Sequence, residues 1–166
     1  MDLKFKTMKK LFITAATAIL FSITAFAAEG TKTLITGEEN VSYIALNRFN
    51  SDFRGAKNPA WIVTSNCQKV SFFLDDVKLT AFYNLSGEYL GTTQDVAYKV
   101  MPARVQKEIA AKYAGYNVGE VIKYENFDSE TDATALVYFV DIKKDKSEIL
   151  LKVTPDENVS FFKKVK

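Results

Sequence analysis

Twice along this chain an apolar stripe at helical spacing is followed by four runs of alternating apolar and polar residues. That order constrains the fold more than any other feature. The first stripe, Ala45, Phe49 and Phe53, predicts a helix over 40–53, with Asn40 as N-cap and Gly55, Asn58 and Pro59 ending it. The second, Val105, Ile109 and Tyr113, predicts a helix over 102–113, with Pro102 at its first position and Gly115 as the stop. Strands are expected over 60–65, 68–75, 78–84 and 88–95, then over 117–126, 135–143, 147–154 and 158–165. Turns as short as Leu85-Ser86-Gly87 and Pro155-Asp156-Glu157 require antiparallel neighbours. The expected class is therefore α+β, with the helices on one face of an antiparallel sheet.

The two halves also match in register. Ala45, Phe49 and Phe53 align with Val105, Ile109 and Tyr113 at one constant offset. Leu79, Ala81, Tyr83 and Tyr89 align with Ile149, Leu151, Val153 and Val159 ten residues further on, a slip assigned to a long polar loop over Asn126–Ala133. This predicts two helix-plus-four-strand repeats, the first over about 40–98 and the second over about 99–166, preceded by an extension over 28–39.

Residues 1–27 read as a signal peptide. Lys4, Lys6, Lys9 and Lys10 precede an apolar run from Leu11 to Phe26, and Ala25-Phe26-Ala27 places small residues where signal peptidase needs them. The run is short for a membrane span, and no Cys follows it to carry a lipid. Translation from Met1 and from Met8 both fit. The expected location is the periplasm or the medium. Removing 1–27 takes away those four Lys and Asp2, leaving 18 basic and 19 acidic residues. That balance speaks against nucleic acid as a partner.

Several chemistries are excluded. The chain has no His, which removes His-based triads and His-containing metal sites. Cys67 is the single cysteine and cannot form an internal disulfide; a buried strand position is expected for it. Asp128-Ser129-Glu130-Thr131-Asp132 alternates like a calcium loop, but Ala133 and Phe139 stand where such a loop needs Gly and Glu. Asp75-Asp76 reads as a turn. Neither a phosphate-binding glycine loop nor a nucleophile elbow is present, so no catalytic residue, metal or cofactor is assigned.

Strand alternation gives the sheet two faces. One carries Leu79, Ala81, Tyr83, Tyr89, Ile149, Leu151, Val153, Val159 and Phe161 and should pack under the helices. The other carries Phe82, Leu90, Leu150 and Phe162 among Lys78, Thr80, Thr92, Lys152 and Lys164, joined by Phe73 and Phe139. Large apolar groups rimmed by lysine and threonine suit a protein-binding surface. Phe73, Phe82, Leu90, Phe139, Leu150, Phe162 and Lys152 are the expected partner-binding residues. Aromatic cross-strand pairing on a solvated face is the plainer explanation of the same pattern.

Trp61, Phe72, Leu79-Thr80-Ala81-Phe82-Tyr83-Asn84, Gly87-Glu88 and Thr92-Thr93, continued by Met101-Pro102, Val105, Ile109 and Tyr113-Ala114-Gly115-Tyr116, resemble the exported PepSY-like proteins. The resemblance covers most of residues 40–165, and its most specific element is Ala-Phe-Tyr followed by a Gly-Glu turn. It implies a fold similar to the β-lactamase-inhibitor protein: two repeats forming one curved antiparallel sheet, helices on the convex side. Met101 stands where the pattern has Leu, and Pro155-Asp156-Glu157-Asn158 replaces an Asp-Gly turn. The resemblance also implies a non-catalytic binding module, an inhibitor or sensor of an envelope protein or peptidase, without naming the target. The alternative is a binder of small molecules or envelope polymers; catalysis by Lys, Tyr or carboxylates and self-association through strand edges rank below both.

Overall fold

The computed structural model describes residues 35–128 and 133–166. The expected signal peptide over 1–27 and the centre of the calcium-like segment, 129–132, lie outside the described residues. The fold is α+β, with two α-helices and nine strands among the described residues. The strands stand in one antiparallel sheet in the order in which they occur in the chain. The chain divides into two compact units, one ending at Gly91 and the other beginning at Thr92.

The first unit contains β1 (Ile35–Thr36), α1 (Tyr43–Asp52), β2 (Lys57–Val63), β3 (Gln68–Leu74) and β4 (Val77–Tyr83), and β5 (Tyr89–Val96) begins in it. The N-cap of α1 is Ser42, not Asn40: the Ser42 hydroxyl accepts from the Ala45 N–H at 3.3 Å. Glu38–Asn40 form a tight helical turn of their own, and the Asn40 amide turns back to donate to the Thr36 carbonyl at 3.2 Å. Sequence preference allows either residue as a cap; the preceding turn decides between them. β1 was not expected, because two residues are too few for alternation to show. β2 starts three residues before its expected position, running through Pro59 at a register shift between Lys57 and Ala60 where Asn58 has φ 54°. A bulge is where a strand tolerates proline. Asp75 and Asp76, both at positive φ, close the β3–β4 hairpin as a two-residue turn.

Alternation places Trp61, Val70, Phe72, Ala81 and Tyr83 under α1, where they bury with Ala45 and Phe49. The core is aromatic. The Phe49 ring meets Trp61 at 5.5 Å and Phe72 at 5.0 Å, both edge to face, an arrangement favoured by the ring quadrupoles. One polar side chain lies inside. Gln68 is 2% exposed; its Nε2 donates to Ser42 Oγ at 2.9 Å and to the Asn84 carbonyl at 2.8 Å, and its Oε1 accepts the Ser42 N–H at 2.6 Å. It joins the start of α1, β3 and the turn after β4.

The Tyr83 hydroxyl is buried without a hydrogen-bond partner among the described residues, and burial drives its pKa up. Removing an orphaned hydroxyl costs little, so Tyr83→Phe is expected to change stability at pH 7 by less than about 1 kcal/mol. The folded pKa lies above the unfolded one. The stabilising contribution of the neutral phenol is therefore complete below pH ~10 and fades as pH rises beyond it. Melting temperatures from pH 7 to 11 should fall more steeply at the alkaline end for the parent than for Tyr83→Phe. Parallel curves would contradict this.

The second unit contains most of β5, α2 (Ala103–Lys112), β6 (Asn117–Asp128), β7 (Ala133–Lys144), β8 (Ser147–Val153) and β9 (Val159–Lys164). Pro102, expected as the first helical residue, is instead the N-cap of α2, which starts one position later at Ala103, and Gly115 follows the helix at φ 83°. Val105 and Ile109 bury against Val121, Val140, Ile142, Leu151 and Val153. Asn126–Ala133 is not simply a loop. β6 and β7 stay paired out to Asp128 opposite Ala133, so both strands run into the stretch expected as a loop. Phe161 departs from expectation too: it is 58% exposed on β9 rather than packed under a helix.

Candidate functional site

The side of each unit's sheet facing away from its helix carries the expected partner-binding residues. In the first unit, β3 and β4 pair Lys69 with Phe82, Ser71 with Thr80 and Phe73 with Lys78 on that side. The Ser71 and Thr80 hydroxyls lie 3.0 Å apart. Phe73 is 40% exposed and Leu90 half-buried, whereas Phe82 is only 2% exposed. The Lys69 amine opposite Phe82 is partly desolvated, and this pulls its pKa down. Cys67 is buried as expected, but in the turn between β2 and β3 rather than within a strand. Its thiol lies 3.5 Å from the Thr64 hydroxyl, and burial pushes its pKa up, so it is a poor nucleophile.

In the second unit the corresponding side carries Phe139 opposite Lys152 and Asp141 opposite Leu150. Phe139 and Leu150 are at most 3% exposed, while Lys152 and Phe162 are half-buried. A register shift in β9 leaves Phe162 as the extra residue, since Leu151 pairs with Phe161 and Leu150 with Lys163. The bulge directs Phe162 onto Phe139, with ring centroids 4.9 Å apart. Of the seven expected residues, Phe82, Phe139 and Leu150 are thus buried and only Phe73 is exposed outright. Alternation fixes the side of the sheet on which a residue lies but not its exposure.

Sequence reasoning missed Asp141, an acid 7% exposed on this same side. Its Oδ2 lies 2.8 Å from the Lys143 ammonium, which also reaches Glu148 at 3.4 Å. The hydrogen bond to Asp141 raises the Lys143 pKa. Asp141 Oδ1 is buried without a partner among the described residues. Gly119, in the β6 segment where register shifts, makes this carboxylate possible: a Cβ there would fall 2.6 Å from Oδ2. The sequence signal was a glycine inside a strand, which marks a bulge or a close approach.

Among the described residues no three His, Cys, Asp or Glu side chains group as metal ligands, and no helix is long and apolar enough to cross a membrane.

Neither a protein-family model nor a curated protein matches the chain. Solved structures do. A DUF2874 family protein from Bacteroides uniformis superposes with TM-score 0.63 at 13% identity, covering 75% of this chain and 90% of that one. A BLIP-like protein from Bacteroides fragilis gives 0.59 at 14% identity, covering 75% and 86%. A protein from Bacteroides eggerthii, provisionally named as periplasmic, gives 0.62 at 13% identity, covering 75% and 89%. At these identities the likeness establishes a BLIP-like fold and nothing finer.

Proposed function

We propose that this chain is an exported binding module that holds a protein partner on the side of the sheet away from the helices. The observation that carries this reading is the chemistry of that side. An exposed Phe73 stands beside Lys78, and a half-buried Phe162 packs at a tilt of 58° against Phe139 beside Lys152. Exposed aromatic groups among lysines are the composition of a contact surface. A BLIP-like fold is compatible with the reading, and the basic and apolar pattern of residues 1–27 supports export. The matched stripes of the two halves support descent from a duplicated helix-plus-strands repeat of PepSY-like type.

Phe73→Ser and Lys152→Glu test the proposal without touching either core. Each is expected to cost about 1 kcal/mol or less in stability and to reduce partner capture at least tenfold. Phe82→Ser is unsuitable, because that side chain is buried and its loss would act through folding. Undiminished capture by both variants, with melting unchanged, would rule this side out.

A further inference from the structure

A recess of about 400 Å3 in the second unit is lined by Tyr116, Lys144, Asp145, Lys146, Lys164 and Lys166. Three separate stretches meet there: the segment after α2, the turn between β7 and β8, and the end of β9 with the residues following it. Four lysines and one aspartate line it, with Ser147, in a chain whose residues after 27 carry slightly more acid than base.

Some lysines elsewhere sit against acids, as Lys112 does on Glu108 at 2.6 Å, Lys123 on Glu125 at 2.7 Å and Lys143 on Asp141 at 2.8 Å, while others, such as Lys78 and Lys107, stand singly on the surface among the described residues. In the recess only Lys166 meets an acid, reaching Glu148 at 3.7 Å, and Lys146 and Lys164 have no ion pair among the described residues. Lys144 is held in place: its ammonium lies 5.9 Å from the Tyr116 ring centroid. Gly115, at φ 83°, leaves the room this requires, since a Cβ there would stand 3.2 Å from Lys144 Nζ. Like charges gathered in a concavity repel until an anion enters. The recess has no arginine fork to select a planar carboxylate. Lysines act as compact point charges, which suits a small anion of high charge.

We propose that this recess binds a phosphate group, carried either by a soluble phosphate ester or by an anionic phospholipid. The register shift in β9 pairs Lys164 with Ile149 and so puts it on the helix side, not on the side that spacing predicts; the site is separate from the partner-binding side of the sheet, and neither proposal depends on the other. The test is titration of the protein with inorganic phosphate, followed through the Tyr116 ring and lysine Nζ resonances, against sodium chloride at matched ionic strength. Phosphate should give saturable shifts at Tyr116, Lys144 and Lys164 that chloride does not. Lys144→Ala/Lys164→Ala should weaken the binding at least tenfold with unchanged melting, and Gly115→Ala should weaken it by displacing Lys144 while lowering the melting temperature through backbone strain at φ 83°. Co-sedimentation with phosphatidylglycerol vesicles, absent with phosphatidylcholine and lost in the double variant, assigns the lipid source. Phosphate binding without co-sedimentation assigns the soluble one. Equal shifts with chloride, or binding that survives the double variant, overturn the proposal.

Discussion

Gly87→Ala is expected to destabilise the protein by about 3–5 kcal/mol, combining backbone strain with overpacking. Gly87 has φ 87°, in the left-handed region, within the turn between β4 and β5. That turn presses on the start of α1: a Cβ at residue 87 would lie 2.7 Å from Ile44 Cβ and 2.8 Å from the Ala45 N–H nitrogen. The second contact is backbone and belongs to the bond that caps the helix. Helix and turn would have to separate. Gly55 provides the control, because it has the same φ of 87° but nothing within 4 Å of where a Cβ would stand. Gly55→Ala should cost only the conformational strain, about 1–2 kcal/mol. Urea unfolding followed by circular dichroism measures both. Equal losses would mean that the turn does not seat against the helix.

The second large effect belongs to Gln68. Gln68→Ala is expected to cost about 2–4 kcal/mol, because it strands the Ser42 N–H in the interior as well as removing several hydrogen bonds. Gln68→Glu is the sharper probe, since it keeps the shape and exchanges the donating amide for a second acceptor. That atom would face the Asn84 carbonyl at 2.8 Å and the Leu85 carbonyl at 3.4 Å, both acceptors. The carboxylate should then be disfavoured in the fold, raising its pKa above the unfolded value of about 4.3. The protonated form can donate again, so stability should be greatest below that unfolded value and fall as pH rises through the folded pKa. A Gln68→Glu variant as stable as its parent at pH 7 would contradict the role assigned to this amide.

Much of this architecture is legible in the sequence, for identifiable reasons. The stripes Ala45–Phe49 and Val105–Ile109 announce both helices because a helix on a sheet must bury one face. The β3–β4 hairpin is legible because Leu79 and Ala81 alternate with the more polar Lys78 and Thr80 just beyond the turn at Asp75-Asp76. What escapes depends on contacts between distant segments. Ser42 rather than Asn40 caps α1 because Asn40 is taken up in the preceding turn, while Gln68, twenty-six residues away, holds Ser42 from the other side. The side of the sheet carrying Phe82 and Phe139 follows from parity, but their burial does not. Phe162 reaches Phe139 through a bulge that spacing cannot reveal. The lysine recess is assembled from three stretches, and its trace in the sequence is lysine density around 143–146 and 163–166.

The most direct test of the partner-binding account is site-specific photo-crosslinking in the producing cell, with the reactive group placed in turn at Phe73, at Lys152 and at Tyr43. Tyr43 is 78% exposed on α1, away from the proposed contact side, and serves as the reference. The account predicts that Phe73 or Lys152 captures a defined partner that Tyr43 does not. Capture from Tyr43 equal to that from both sheet positions, or no capture from either sheet position in folded protein, would contradict it.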